Sequence, residues 1–256
     1  MLQKFRFTLA CTEPGTVRGL GGLELHALFF SFLREVEEEA ARELHGAKDK
    51  PFALGPLEGA GERRGGSFYL QAGEKYGFTV TSLTGAMYRL LEEVAALWPG
   101  REVQLGTGAL ACVDAGTTRA EDLNYRDLVA RARPATTVTL EFLTPTSFRQ
   151  RGTQILFPLP EYVFGSLRQR WNAHGPIRLP EDLDLSLIQV ARYRARTQLV
   201  PFNRYKIVGF TGTCTYQVPK KVPDFVPWLL AVLADYAEFA GVGYKTTMGM
   251  GVVRRW

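Results

Sequence analysis

The chain of 256 residues is poor in cysteine and histidine and contains no long apolar run. Its three cysteines, Cys11, Cys112 and Cys214, are far apart and in no metal-ligand spacing. This argues against a zinc site or a disulfide framework and predicts buried, reduced thiols. No stretch approaches the roughly 20 apolar residues of a membrane helix, so we expect no membrane contact. The start alternates polar and apolar side chains, which predicts a strand and not a signal peptide, so we expect a cytoplasmic protein. We also expect it to use no metal and no cofactor.

Net charge is +5, but the two halves of the chain differ in sign. Residues 1–125 contain 13 Lys and Arg against 17 Asp and Glu, whereas residues 126–256 contain 18 against 9. The first half therefore carries −4 and the second +9. A basic half indicates an anionic partner for that part of the chain.

The order of predicted elements occurs twice. In the first half, hydrophobic periodicity predicts strand 1–12, helix 23–45, strands 66–70 and 76–81, helix 83–97 and strand 101–113. After a polar connector over 116–134, it predicts strand 135–143, helix 160–171, strands 185–199 and 203–218, helix 223–240 and strand 246–254. The order β-α-β-β-α-β is typical of a ferredoxin-like unit. We therefore predict an α+β fold of two tandem ferredoxin-like domains, 1–125 and 126–256.

A glycine-rich segment, Gly241–Gly251, follows the last predicted helix. It is not a P-loop, because Tyr244 stands where that pattern requires glycine, and the dinucleotide pattern fails at Thr246. One interpretation is a helix C-cap with a tight turn, in which glycines supply positive φ. The other, which explains more residues, is a loop that lets the backbone approach RNA. Its RNA-binding residues would be Gly241, Gly243, Tyr244, Lys245, Thr246, Thr247, Gly249 and Gly251.

Basic residues also alternate along the predicted strand 185–199. Arg192, Arg194 and Arg196 would project to one face, which favours a phosphate track, although a solvated edge strand has the same pattern. Further basic residues that could extend the track are Arg204 and Lys206 on the next predicted strand, and Arg149 and Arg151 before it.

Three stretches of the chain resemble a known family. They are Phe239–Gly251, the region with Phe142–Phe148, Pro158–Pro160 and Leu167–Asn172, and Leu44–His45 with Pro51–Gly55. Together they are similar to the CRISPR-associated repeat-processing endoribonucleases, the Cas-six family of the RAMP superfamily. The resemblance implies tandem ferredoxin-like folds and metal-independent cleavage of CRISPR repeat RNA in the precursor transcript. The ribose 2′-hydroxyl would attack the adjacent phosphate and leave 2′,3′-cyclic phosphate and 5′-hydroxyl ends.

The sequence leaves a second function open, that of a non-catalytic RNA-binding scaffold subunit in a CRISPR effector complex. It also leaves open whether other effector subunits or a second copy of the chain are partners.

Cleavage of this kind needs a base, an acid and a cation near the phosphate. His45 is the strongest candidate, because it lies at the end of the first predicted helix, with Gly46 as a cap. The resemblance places the family's catalytic histidine at this position. Lys48 and Lys50 follow in the next loop, and either could supply the cation.

His26 is a second candidate, with a capping or packing role as the alternative. An unbroken helix would hold it roughly 28 Å from His45, too far for both to contact one phosphate. We interpret His174 as structural. The tyrosine that some relatives place beside the catalytic histidine has no clear match in the first helix.

Overall fold

Two compact units make up the chain in the computed structural model, which describes residues 1–118, 123–181 and 184–256. The first unit comprises Met1–Asp122, Val200–Ile207 and Thr247–Met250, and the second comprises Leu123–Leu199, Val208–Thr246 and Gly251–Trp256. The expected division after residue 125 differs from this in two respects. The second unit begins at Leu123, and two segments of the second half of the chain belong to the first unit. Residues 119–122 of the predicted connector lie outside the described ranges.

The first unit has a main antiparallel sheet with the strand order β3-β7-β1-β9-β8, and β4 also pairs with β7. Without β8, this is the order of a ferredoxin-like sheet. The elements in chain order are β1 (Gln3–Glu13), β2 (Gly15–Arg18), α1 (Gly22–Val36), α2 (Glu38–Gly46), β3 (Phe52–Leu54), β4 (Glu58–Gly59), β5 (Arg63–Arg64), β6 (Ser67–Leu70), β7 (Lys75–Ser82), α3 (Gly85–Leu97), β8 (Glu102–Leu105) and β9 (Gly108–Thr117).

The core of this unit forms between the central strand β1 and helix α1. Phe5, Phe7 and Leu9 alternate with more exposed residues on β1 and are buried. Phe29 and Phe32 of α1 are buried as well, and the ring centroids of Phe7 and Phe32 are 6.2 Å apart. The apolar face of β1, formed by every second residue, thus packs against the apolar stripe of α1. This contact determines which face of α1 points inward.

The predicted single helix 23–45 is wrong, because Glu37 interrupts it. Glu37 has φ −150° and ψ 98°, and it ends α1 and caps the start of α2. Glu38 and Glu39 therefore lie in the first turn of α2, where the helix dipole stabilises carboxylates. In a continuous helix the same acidic run would lie in the helix interior beside like charges.

The predicted strand 66–70 forms, but not in the main sheet. As β6 it pairs with β2 and β5 in a separate small sheet, and β3 takes the edge position next to β7. All three residues of β3 are buried, whereas β6 alternates between buried and exposed side chains. The predicted strand 101–113 is the hairpin β8–β9.

The second unit repeats the same sheet order, as β13-β14-β10-β15. Its elements are α4 (Tyr125–Arg131), β10 (Thr137–Thr146), β11 (Phe148–Gln150), β12 (Thr153–Ile155), α5 (Pro160–His174), β13 (Gln189–Pro201), β14 (Lys206–Gln217), α6 (Phe225–Ala240) and β15 (Val253–Arg255). Two ferredoxin-like units in tandem are thus confirmed. None of the helices in the described ranges has the length and apolarity that crossing a membrane requires.

The predicted last strand, 246–254, is mostly a series of turns, and β15 forms only over its end. Gly251 has φ 73° and lies against Val242, whose N–H donates to the Gly251 carbonyl oxygen at 2.8 Å. A β-carbon at position 251 would clash with the Val242 carbonyl oxygen. The close approach and the positive φ both require glycine here.

Gly251→Ala should therefore lower the free energy of unfolding by about 2 kcal/mol or more, because strain and overpacking add. Urea unfolding of the full chain measures this. The matched control is Gly85→Ala at the start of α3, where an added β-carbon meets nothing closer than Arg89 Nη1 at 4.0 Å. Equal stability of the two variants would contradict the packing role of Gly251.

Candidate functional site

His45 lies in the last turn of α2, exposed, at the edge of a pocket in the first unit. Its ring centroid is 5.2 Å from that of Phe30, which belongs to α1, and the two rings meet edge to face. The pocket has a volume of about 330 Å³ and is lined by Phe30, Arg34, Glu38, Ala41, Arg42 and His45. Both helices therefore contribute to one concave site.

Two arginines accompany His45 in this pocket. Arg34 comes from the last turn of α1, and Arg42 comes from α2, where its Nη2 contacts Glu38 Oε1 at 3.2 Å. Both are exposed. Sequence reasoning missed them, because the break at Glu37 is what turns α2 so that its residues face the end of α1. An imidazole and two guanidinium groups make the pocket suited to an anion.

His26 lies near the start of α1 and is 8% exposed. Its Nδ1–H donates to the Thr247 carbonyl oxygen at 3.0 Å, so Nε2 is the ring atom that can accept a proton. Its ring centroid is 4.7 Å from that of Phe30. Phe30 contacts both histidine rings. The centroids of the His26 and His45 rings can therefore be no further apart than the sum of 4.7 Å and 5.2 Å, the distances of each from the Phe30 centroid. The helix break thus brings together two residues that a straight helix would hold roughly 28 Å apart.

Lys50 holds the end of α2. Its Nζ donates to the carbonyl oxygens of His45 at 2.9 Å and Ala47 at 2.7 Å, and burial lowers its pKa. These bonds satisfy carbonyl groups that a helix end leaves open. Lys48 is exposed in the loop that follows. Of the two predicted cations, Lys50 is thus engaged in fixing the backbone that carries His45.

The glycine-rich segment is largely buried. Gly241, with φ 68°, is the C-cap of α6, as the helix-cap interpretation predicts. Gly249 and Gly251 are buried as well. The Thr246 side chain is 3% exposed, and its Oγ1 accepts from Arg170 Nη1 at 2.6 Å. Packing explains these four residues, and Thr247–Met250 belongs to the first unit rather than the second.

The accessible part of the segment is a basic–aromatic cluster in the second unit, formed by Arg149, Tyr244 and Lys245. The Arg149 guanidinium carbon is 5.8 Å from the Tyr244 ring centroid, and Lys245 Nζ is 5.2 Å from it. Arg149 Nη1 also donates to Tyr244 Oη at 3.4 Å. Lys245 has φ 59°, a conformation that costs a lysine energy and is typical of functional loops. Gly243 is half-buried beside the cluster, where a β-carbon would clash with the Ser147 carbonyl oxygen.

The three arginines of β13 are all exposed, and so are the residues between them. Arg194 and Arg196 line a groove of about 580 Å³ in the second unit, and Arg196 Nε donates to Thr211 Oγ1 at 3.4 Å. Arg192 lies on the same strand, two residues before Arg194. This position is consistent with a phosphate track on the edge strand of the sheet.

The remaining predicted residues lie elsewhere. Arg204 is in the turn between β13 and β14, not on a strand, and it and Lys206 belong to the first unit. Arg151, with φ 48°, is exposed in the turn of the β11–β12 hairpin. His174 is the last residue of α5 in the second unit, whereas His26 and His45 belong to the first.

Comparison with known proteins finds similarity in both sequence and fold. A family model described as CRISPR-associated endoribonuclease Cas6 matches residues 140–253. The Cas6 endoribonuclease of Mycobacterium tuberculosis H37Rv is 38% identical over 149 aligned residues, which cover 54% of this chain and 46% of that protein. The Cas6 endoribonuclease of Streptococcus thermophilus is 30% identical over 120 residues, covering 44% and 48%. The chain thus aligns with about half the length of these curated relatives.

Solved structures match over the whole chain. A Cas6 product complex has 26% identity and a TM-score of 0.83, with 100% of both chains covered. A Cas6 substrate mimic complex has 28% identity and a TM-score of 0.74, with 100% of this chain and 99% of that chain covered. Thermus thermophilus Cas6 has 26% identity and a TM-score of 0.72, covering 100% and 98%. The two ferredoxin-like units, the sequence matches and these full-length structural matches agree, and the chain is similar in both sequence and fold to the Cas6 family of CRISPR-associated endoribonucleases.

Proposed function

We propose that the chain is a metal-independent endoribonuclease that binds CRISPR repeat RNA and cuts it within the precursor transcript. The observation that supports this most is the pocket at the junction of α1 and α2, where His45 lies with Arg34 and Arg42 and where Phe30 contacts both His45 and His26. The relatives described above include Cas6 structures named as product and substrate mimic complexes. Since the substrate is a cellular transcript, we place the reaction in the cytoplasm.

The proposed reaction is a transesterification. The ribose 2′-oxygen attacks the adjacent phosphorus while its proton passes to a base, and the bond from phosphorus to the 5′-oxygen breaks. The leaving oxygen takes a proton from an acid, so the products carry a 2′,3′-cyclic phosphate and a 5′-hydroxyl. An acid, a base and a positive charge are sufficient for these steps.

The site offers a residue for each of these roles. His26 acts as the base, because its Nδ1–H donates to the Thr247 carbonyl oxygen, so in the neutral ring Nε2 carries the lone pair that accepts a proton. His45 then acts as the acid, and Arg42 with Arg34 stabilises the negative charge on the phosphorane. Phe30 positions both rings. Lys50 contributes by fixing the end of α2.

RNA is held mainly by the second unit. Tyr244 offers a ring for a base to stack on, and Arg149 and Lys245 supply charge for the adjacent phosphates. Arg192, Arg194 and Arg196 extend the contact along β13. Gly243 and Thr247 are half-buried and could contact the RNA as well, whereas Gly241, Thr246, Gly249 and Gly251 are buried and shape the backbone of the segment.

Alanine in place of His45 or His26 should slow single-turnover cleavage of repeat RNA in EDTA by about 10²- to 10⁴-fold, the usual effect of removing an acid or base. RNA affinity should change little. His174→Ala is the matched control and should cut at the wild-type rate.

Two results would contradict these assignments. If wild type binds the repeat tightly and leaves it intact in EDTA, the chain acts as a non-catalytic RNA-binding scaffold. If His26→Ala cuts normally but melts at a lower temperature, His26 has only a packing role.

Arg42→Ala should reduce the cleavage rate at saturating RNA by at least about tenfold, since a charge that stabilises the transition state is removed. Arg42→Lys should recover part of the loss. Arg101→Ala is a suitable control, because Arg101 is a similarly exposed arginine of the first unit, paired with Glu35 at 2.7 Å outside the pocket. Equal cleavage rates for the Arg42 and Arg101 alanine variants would contradict the proposed role of Arg42 in stabilising the transition state.

Lys245→Ala should weaken binding more than the chemical step, because the lysine belongs to the basic–aromatic cluster and not to the histidine pocket. The slope of log affinity against log salt should become shallower by about 0.7, the value for one phosphate contact on a single strand. Lys220→Ala, which removes an exposed lysine of the same unit, is the control. Unchanged affinity with a slower single-turnover rate would show that the roles of the two sites are reversed.

A further inference from the structure

The groove on the sheet of the second unit carries a carboxylate that neither the proposed phosphate track nor the proposed reaction uses. The groove is lined by β10, β13 and β14, with Arg194 and Arg196 at one side and Glu141 at the other. On β10, Leu140 and Phe142 are buried in the core, so the alternating Glu141 and Leu143 face the opposite side of the sheet. Thr213 lies beside Glu141 in the pairing of β10 with β14.

Two residues hold one oxygen of the Glu141 carboxylate with three hydrogen bonds. Arg254 donates to Oε2 from Nη2 at 2.6 Å and from Nε at 3.2 Å, and Trp256 Nε1–H donates to the same oxygen at 3.1 Å. The other oxygen, Oε1, has no hydrogen-bond partner among residues 1–118, 123–181 and 184–256. The Glu141 side chain is 26% exposed. The carboxylate is therefore fixed in orientation, with one acceptor oxygen left for an incoming donor.

Trp256 adds an aromatic surface next to the Glu141 carboxylate. Its side chain is 70% exposed, and the Arg254 guanidinium carbon lies 4.8 Å from its ring centroid. The backbone N–H of Trp256 donates to the Thr139 carbonyl oxygen at 2.9 Å, which anchors the residue along β10. Nucleobases stack on exposed rings of this kind in single-stranded nucleic acid sites.

We propose that this groove binds single-stranded RNA and reads one base through Glu141. The base stacks on Trp256, Oε1 of Glu141 accepts a hydrogen bond from its exocyclic amino group, and the β13 arginines contact the flanking phosphates. The inference rests on the proposed RNA function and adds to it a specificity-determining residue outside the histidine pocket.

The chemistry of the acceptor sets which bases are favoured. Cytosine presents an amino group at the position where uracil presents a carbonyl oxygen. A carboxylate oxygen accepts a hydrogen bond from the first and repels the second. A comparison of affinity for cytosine and for uracil therefore tests the Glu141 hydrogen bond most directly, because the two bases have nearly the same size and stacking area.

The test is the affinity of the full-length protein, in EDTA, for eight-nucleotide oligoribonucleotides of cytidine only and of uridine only. Wild type should bind the cytidine oligomer about tenfold more tightly. Glu141→Gln should abolish or reverse this ratio, because an amide can also donate to the uracil carbonyl. Trp256→Ala should weaken both oligomers by a similar factor, and Trp256→Phe should restore most of the affinity.

Glu58→Gln is the matched control, since Glu58 is also paired with an arginine, Arg6, at 2.8 Å but lies in the first unit. It should leave the ratio unchanged. Equal affinity of wild type for both oligomers, or a ratio that survives Glu141→Gln, overturns the inference.

Cleavage of repeat RNA by the same preparations separates this inference from the proposed function. Normal cleavage without base preference refutes only the base-reading groove. Base preference without cleavage supports the groove and refutes the proposed reaction.

Discussion

Glu37 adopts an extended conformation between two helices, and the position of His45 depends on it. A continuous helix would carry His45 away from His26. The interruption allows α2 to pack on α1, so Phe30 contacts both imidazoles and Arg34 and Arg42 enter one pocket. The acidic run around the break stabilises it, because Glu38 and Glu39 lie in the first turn of α2, where the helix dipole favours negative charge, instead of crowding a helix interior.

The glycine-rich segment has two physical roles that its composition does not separate. Some of its glycines are required because neighbouring backbone leaves no room for a β-carbon, as at Gly251 against Val242. The accessible side chains, Tyr244 and Lys245, are displayed on the framework that these glycines make possible. Mutational effects on RNA binding at the buried positions would therefore reflect backbone geometry, whereas effects at the half-buried Tyr244 and Lys245 would reflect charge and stacking.

Much of the fold follows from local patterns. The repeated β-α-β-β-α-β order and the end of α6 at Ala240 were predictable, because period and capping are local properties. The break at Glu37 and the edge position of β3 were not, since both depend on what a segment contacts after folding. Arg34 and Arg42 were missed for the same reason. Resemblance located His45, but only the packing of two helices shows what surrounds it.

Segment Thr247–Met250 belongs to the first unit although residues on both sides belong to the second. Its Thr247 carbonyl accepts from His26, and Gly249 N–H donates to the Leu54 carbonyl oxygen at 3.1 Å. The first compact unit therefore includes two segments from the second half of the chain, and it is complete only after residue 250 has been synthesised. Residues 1–122 transferred alone to another protein would lack both of these segments.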